Sequence, residues 1–175
     1  MNRSFTIVSE EKPPVALRAI GTADLEDLRV WKNANRHAFF FKGEIAPEMQ
    51  KEWFKGYLSR DGDFMFLVES EGLRAGCMGF RLIDGAADAY NIIGVPAAQG
   101  KGLLGRAMRL MCSYILKEHT KKIGCRVLKD NPAVGWYKKL GYRVAAERPD
   151  HFQLELDVPA FSPSAFEVRP GAAKA

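Results

Sequence analysis

Between Phe64 and Val95 three extended, apolar-rich segments are joined by the short turns Glu71-Gly72 and Asp84-Gly85. Connections this short leave no room for a crossover, so the three segments are expected to pair antiparallel. A change of period follows at once. After the loop Pro96-Ala97-Ala98-Gln99-Gly100-Lys101-Gly102, apolar residues recur at helical spacing: Leu103, Leu104, Ala107, Met108, Leu110, Met111, Tyr114 and Ile115. Arg106, Arg109, Ser113 and Lys117 fall on the other face of that helix.

The rest of the chain fits around this centre. Residues 1–14 are polar, end in Lys12-Pro13-Pro14 and read as a flexible lead-in. Val15 to Ile20 reads as a strand. Thr22 is suited to N-cap a helix carrying Asp24 and Glu26 in its first turn and Leu25, Leu28 and Trp31 on one face. Ala46-Pro47-Glu48 opens a second helix, and Phe39, Phe40 and Phe41 before it are expected to be buried or to line a cleft. Lys122 to Leu128 reads as a strand. Asn131-Pro132 starts a helix that Gly141 stops. Tyr142–Ala146 and His151–Asp157 form a hairpin, and residues 158–175 read as an irregular tail. The expectation is one α/β (α+β) domain over residues 15–157.

Composition narrows the function classes. The net charge is +5, but Lys and Arg are dispersed and no aromatic ladder is interleaved with them, so nucleic-acid binding is not supported. A polyanionic small ligand fits the charge equally well. No apolar run reaches the roughly 18 residues of a membrane span, and the N-terminus lacks the apolar core of a secretory signal. Cys77, Cys112 and Cys125 lie in apolar segments without metal-ligand spacing. Buried, reduced thiols, a cytoplasmic location and no metal are therefore expected.

Gly100-Lys101-Gly102-Leu103-Leu104-Gly105 is a G-x-G-x-x-G between a strand and a helix. It admits three readings. A plain tight turn is one. A P-loop fails on spacing, because Val95 stands where the first glycine belongs and Gly102 where Ser or Thr would hold magnesium. A dinucleotide site fits locally, but Pro96 to Gln99 intervene and too little chain follows Asp130 for the remaining parallel strands. What the readings share is physical: glycines expose backbone N–H groups, and the helix that follows points its positive end at the loop.

Gln99-Gly100-Lys101-Gly102, placed after Val95-Pro96 and before an amphipathic helix, resembles the Q/R-x-x-G-x-G/A pyrophosphate motif of the GNAT superfamily. Asn131-Pro132-Ala133-Val134-Gly135-Trp136-Tyr137-Lys138-Lys139-Leu140-Gly141-Tyr142 resembles the Asn-led helix that ends Y-x-x-x-G-F/Y in that family. Leu104 departs from the usual Gly or Ala. The Asn131 register departs by one residue, leaving Asp130 or Asn131 to meet the CoA arm. The resemblance implies a GNAT fold, a mixed and mostly antiparallel twisted sheet of about six to seven strands flanked by about four helices. It also implies acetyl-CoA as co-substrate, an amine acceptor, and assembly that extends to a homodimer.

Four tasks follow from that resemblance. CoA would be held by Gln99, Gly100, Lys101, Gly102, Leu103 and Leu104 with Asn131 and Tyr137. The thioester carbonyl would be polarised by backbone N–H groups of Ile93-Gly94-Val95, and Tyr137 would be the catalytic acid for the departing thiolate. His37, Glu44, Asp88 and a water held by Asn91 are the alternatives for the base. Leu28-Arg29-Val30-Trp31-Lys32-Asn33, Ile45-Ala46-Pro47-Glu48 and Trp53-Phe54 resemble branches that acetylate ribosomal-protein N-termini or nucleotide-linked amino sugars. A small amine or amino sugar is preferred here, because nothing reads as an acidic or extended peptide track. A CoA-binding module without turnover is the other class.

Overall fold

The computed structural model describes residues 4–171. Its elements are β1 (Phe5–Ser9), β2 (Ala16–Ala19), α1 (Leu25–Ala34), α2 (Pro47–Ser59), β3 (Asp63–Ser70), β4 (Leu73–Ile83) and β5 (Ala86–Gly94), followed by α3 (Leu103–Glu118), β6 (Ile123–Leu128), α4 (Val134–Lys139), β7 (Tyr142–Glu147), β8 (His151–Leu156) and β9 (Phe166–Pro170). The strands form one mixed sheet in the order β7-β8-β6-β5-β4-β3-β2-β1-β9. Of its pairings among the described residues only β5–β6 is parallel. The marked turns are where the backbone goes left-handed: φ is 48° and 80° at Glu71 and Gly72, and 49° and 78° at Asp84 and Gly85.

The core lies on both faces of the sheet. Phe64, Phe66 and Val68 of β3 join the cluster around α3, while Met65 and Leu67 join a smaller cluster beneath α1 and α2 with Leu25, Leu28 and Tyr57. A strand covered on both faces needs a continuous apolar run rather than alternation, which is what Phe64–Val68 supplies. No helix among the described residues is long and apolar enough to cross a membrane.

Four expectations need correction. The flexible lead-in contains β1, which pairs with β2 from Thr6↔Arg18 to Val8↔Ala16. The irregular tail contains β9, paired with β1 from Phe5↔Pro170 to Ser9↔Phe166. Among the described residues the sheet therefore has nine strands rather than six or seven. Ser113, on the face of α3 away from the apolar stripe, is nonetheless buried, because the returning tail lies over α3: its hydroxyl accepts from Ser164 N–H at 2.9 Å and donates to Arg109 O at 2.7 Å. On the same face Glu11 binds Arg106 (2.8 Å) and Arg109 (3.6 Å), which ties the β1–β2 turn to α3.

Thr22 does not cap α1. It opens a short 3₁₀ turn, Thr22–Asp24, because Asp24 is drawn inward: Arg18 donates two hydrogen bonds to its carboxylate at 3.0 Å and Gly21 N–H a third at 2.7 Å. Burial works against the Asp24 charge, but these donors outweigh it and hold the carboxyl below its ordinary range. A depressed carboxylate stabilises the fold above its unfolded pKa, and that contribution is lost as pH falls through the folded value. The free-energy gap between wild type and Asp24→Asn is therefore expected to be widest near neutrality and to shrink below about pH 4. Urea denaturation at stepped pH measures it, and a pH-independent gap contradicts the assignment.

Candidate active site

The glycine loop begins where β5 ends. A 3₁₀ turn over Pro96–Ala98 leads into Gly100 (φ 74°) and Gly102 (φ 67°), and α3 starts at Leu103. A Cβ at either glycine would meet nothing within 4 Å. Glycine is needed there for its backbone conformation, and the space above the loop is open. Gly102 O accepts from Arg106 N–H at 3.1 Å. The first N–H groups of α3 have no intrahelical partner and face the loop, the arrangement that receives a phosphate. Gln99 and Lys101 are exposed on the same loop.

β5 and β6 pair only at Ala87↔Ile123 and Asp88↔Gly124 and then separate. On its other side β5 steps its register against β4, so that Met78 spans both Asn91 and Ile92, and Asn91 takes φ 50°. Such a bulge re-aims the strand. A cleft of about 390 Å³ opens in the gap, lined by β5 from Asp88 to Ile92, Arg126 and Val127 of β6, Leu104 of α3, and Asn131, Ala133, Trp136 and Tyr137 at α4. Lys32 and Phe39–Phe41 close its far side. Phe40 and Phe41 are half exposed, at 47% and 51%, and line the cleft, whereas Phe39 is partly buried and also packs against the cluster beneath α1 and α2.

The thioester-wall expectation is sharpened at one point. Val95 N–H donates to Ala75 O at 3.0 Å, which makes Gly76↔Gly94 a non-hydrogen-bonded pair. Gly94 N–H is therefore turned away from β4, toward the gap, whereas Ile93 and Val95 direct theirs at β4. Ile93 is buried beneath α1 and α2. Leu104, the departure from the family pattern, packs where a Cβ on Gly94 would lie (3.2 Å). Glycine at 94 makes room for leucine at 104.

Tyr137 sits on the inward face of α4, edge-on to Trp136 (4.9 Å) and Tyr142 (5.6 Å). It is buried, yet lines the cleft, and among the described residues its hydroxyl has no hydrogen-bond partner. Burial raises its pKa well above the ordinary phenol value, so it stays protonated and has a proton to give. Asn131 lines the cleft, and its Oδ1 accepts from Ala133 N–H at 2.9 Å, which turns the chain into α4. Asp130 is exposed and outside the cleft. The backbone register thus brings Asn131, not its neighbour, to the site.

Among the candidate bases, His37 and Glu44 are exposed on the α1–α2 connection. Asp88 lines the cleft, and burial raises its pKa against the opposing pull of Arg126 and Arg81. Asn91 is occupied: its Oδ1 accepts from Lys32 Nζ. Lys32 is the residue that sequence reasoning passed over. Its ammonium lies 3.1 Å from the Phe39 ring centroid, and burial lowers its pKa to about 8. A signal was present, since Lys32 stands one helical turn after Leu28 on the inward face of α1, an unusual place for a lysine.

Lys32, Tyr90 and Asn91 also line a second cavity of about 260 Å³ across β5, roofed by Leu28, Gln50 and Trp53. Arg29 Nη1 and Asn33 Nδ2 both donate to Ile45 O, at 3.1 and 3.0 Å, and fix the loop beside it. The two cavities meet at the bulge. Among the described residues no cluster of His, Cys, Asp and Glu could hold a metal ion, and the three cysteines are buried and unpaired.

The family profile described as acetyltransferase (GNAT) domain matches residues 15–143. The solved spermidine N-acetyltransferase of Vibrio cholerae, in complex with CoA and spermine, is 22% identical with a TM-score of 0.71, over 81% of this chain and 94% of that one. Apo FdhC, a nucleotide-linked sugar GNAT, is 14% identical with a TM-score of 0.70, over 81% and 85%. An uncharacterized protein of Bacillus halodurans is 14% identical with a TM-score of 0.72, over 85% and 86%. No curated protein matches the chain significantly.

Proposed function

Because this chain belongs to the GNAT acetyltransferase family, we infer that it moves the acetyl group of acetyl-CoA to the primary amine of a small acceptor by direct attack. The observation that carries this reading is the gap between β5 and β6, which is lined from Leu104, in the first turn of α3, to Tyr137 and meets a second cavity at the Asn91 bulge. One cavity suits the donor and the other the acceptor, with the bulge between them.

Acetyl-CoA supplies an activated thioester. The left-handed glycines and the N-terminus of α3 suit its pyrophosphate, with Gln99, Lys101, Leu103 and Leu104 beside it and Asn131 at the opposite wall. Gly94 N–H is directed to polarise the thioester carbonyl. The acceptor nitrogen forms a bond to the acetyl carbon as the carbon–sulfur bond breaks. Tyr137 gives its proton to the departing sulfur, and the amine loses one to a base in the cleft. The buried, unpaired thiols suit a reducing cytoplasm.

Acetyl-CoA at a hundred times its Kd is expected to stabilise the protein by about 2.7 kcal/mol, seen as a rise in Tm of roughly 5–10 °C for a chain of this size. Amine-stimulated CoA release is then expected from a panel of primary amines, amino sugars and peptides. A thermal shift with no release from any acceptor would make the chain a CoA-binding module instead.

A further inference from the structure

We propose that the acceptor amine carries an anionic group, a carboxylate or a phosphate, held by Arg81 and Lys32 in the cavity beneath α1 and α2. This rests on the acetyl-transfer reading and adds to it the chemical class of the acceptor.

The cavity presents two cations and no carboxylate. Of the acids beside Arg81, Asp88 lines the other cleft, and Asp63 is only 1% exposed and already bound: Tyr90 Oη donates to it at 2.5 Å, Arg60 Nε at 2.8 Å, and Arg81 Nε stands at 3.4 Å. One carboxylate thus faces two guanidinium groups and cannot reach the cavity. Lys32 has no acid within ion-pair distance among the described residues; its contacts are the Asn91 amide and the Phe39 ring. Arg81 lies over the Tyr90 ring at 3.9 Å, and its buried Nε makes no hydrogen bond.

Arg81 shares Asp63 with Arg60, and Lys32 has no acid at that distance among the described residues, so two partly buried cations facing one cavity are under-compensated and costly to hold together. An anion bound between them removes that cost, and the guanidinium fork matches a carboxylate or phosphate in shape as well as charge. Tyr90 and Asn91, shared with the donor cleft, place the remainder of such a ligand beside the bulge. The same positive field favours the acceptor amine in its neutral, nucleophilic form. A polyamine would instead bring further positive charge against Lys32 and Arg81, in a cavity whose own lining holds no acid to receive it.

The test is steady-state CoA release with primary amines matched in length: ω-amino carboxylates, ω-aminoalkyl phosphates, ω-amino alcohols, and diamines with spermidine. The expected result is kcat/KM at least ten-fold higher for an anionic series than for the alcohols, with the diamines lowest. Which anionic series leads separates carboxylate from phosphate. Arg81→Met is expected to abolish most of that difference through KM, and Lys32→Met to narrow it. The wild-type comparison stands whether or not the variants fold. Equal or better turnover of alcohols or diamines overturns the proposal and leaves acetyl transfer standing. Release from none of the amines overturns both.

Discussion

Tyr137→Phe is expected to lower kcat by about 10²-fold or more under saturating acetyl-CoA, the effect of removing a positioned acid. The substitution deletes one oxygen, and among the described residues that oxygen makes no hydrogen bond. The ring keeps its packing against Trp136 and Tyr142. Stability should accordingly change by no more than about 0.5–1 kcal/mol. A tyrosine that served only as core would give unchanged turnover in the phenylalanine variant. Because burial raises the hydroxyl's pKa, the wild-type rate should also lose no activity to its ionisation up to about pH 10. Turnover equal to wild type removes Tyr137 from the mechanism.

Gly76→Ala is expected to cost at least about 3 kcal/mol or to prevent folding, by the combined effect of a strained backbone and a steric overlap. Gly76 has φ 149°, and a Cβ there would lie 1.9 Å from the Ile93 carbonyl oxygen. The overlap is with backbone, so no side chain can rotate aside. Gly72→Ala is the control: φ is 80° but nothing lies within 4 Å of its Cβ, and about 1 kcal/mol is expected from conformation alone. Urea midpoints of the two variants measure the difference. If Gly76→Ala folds, β5 must have shifted at Ile93 and Gly94, and CoA release should fall with it. Equal midpoints would show that the β4–β5 contact is not as close as described.

The sequence by itself determined what short-range chemistry controls. Glu71-Gly72, Asp84-Gly85, Gly100, Gly102 and Gly141 mark backbone positions with positive φ. The apolar period of α3 and the antiparallel meander depend on neighbours a few residues apart, and the two motifs at Gln99 and Asn131 led to the family. Tertiary structure decided the rest. β1 and β9 exist as strands because Phe5–Ser9 and Phe166–Pro170, distant in the chain, satisfy each other's backbone groups. Ser113 is buried because the tail crosses α3. Lys32 and Arg81 acquire meaning only from the packing that brings α1, β4 and β5 around one cavity, and Asn91 takes its left-handed conformation at the bulge there. Local conformational preference acts through adjacent peptide units, whereas burial and charge environment are set by whichever distant segment packs on top.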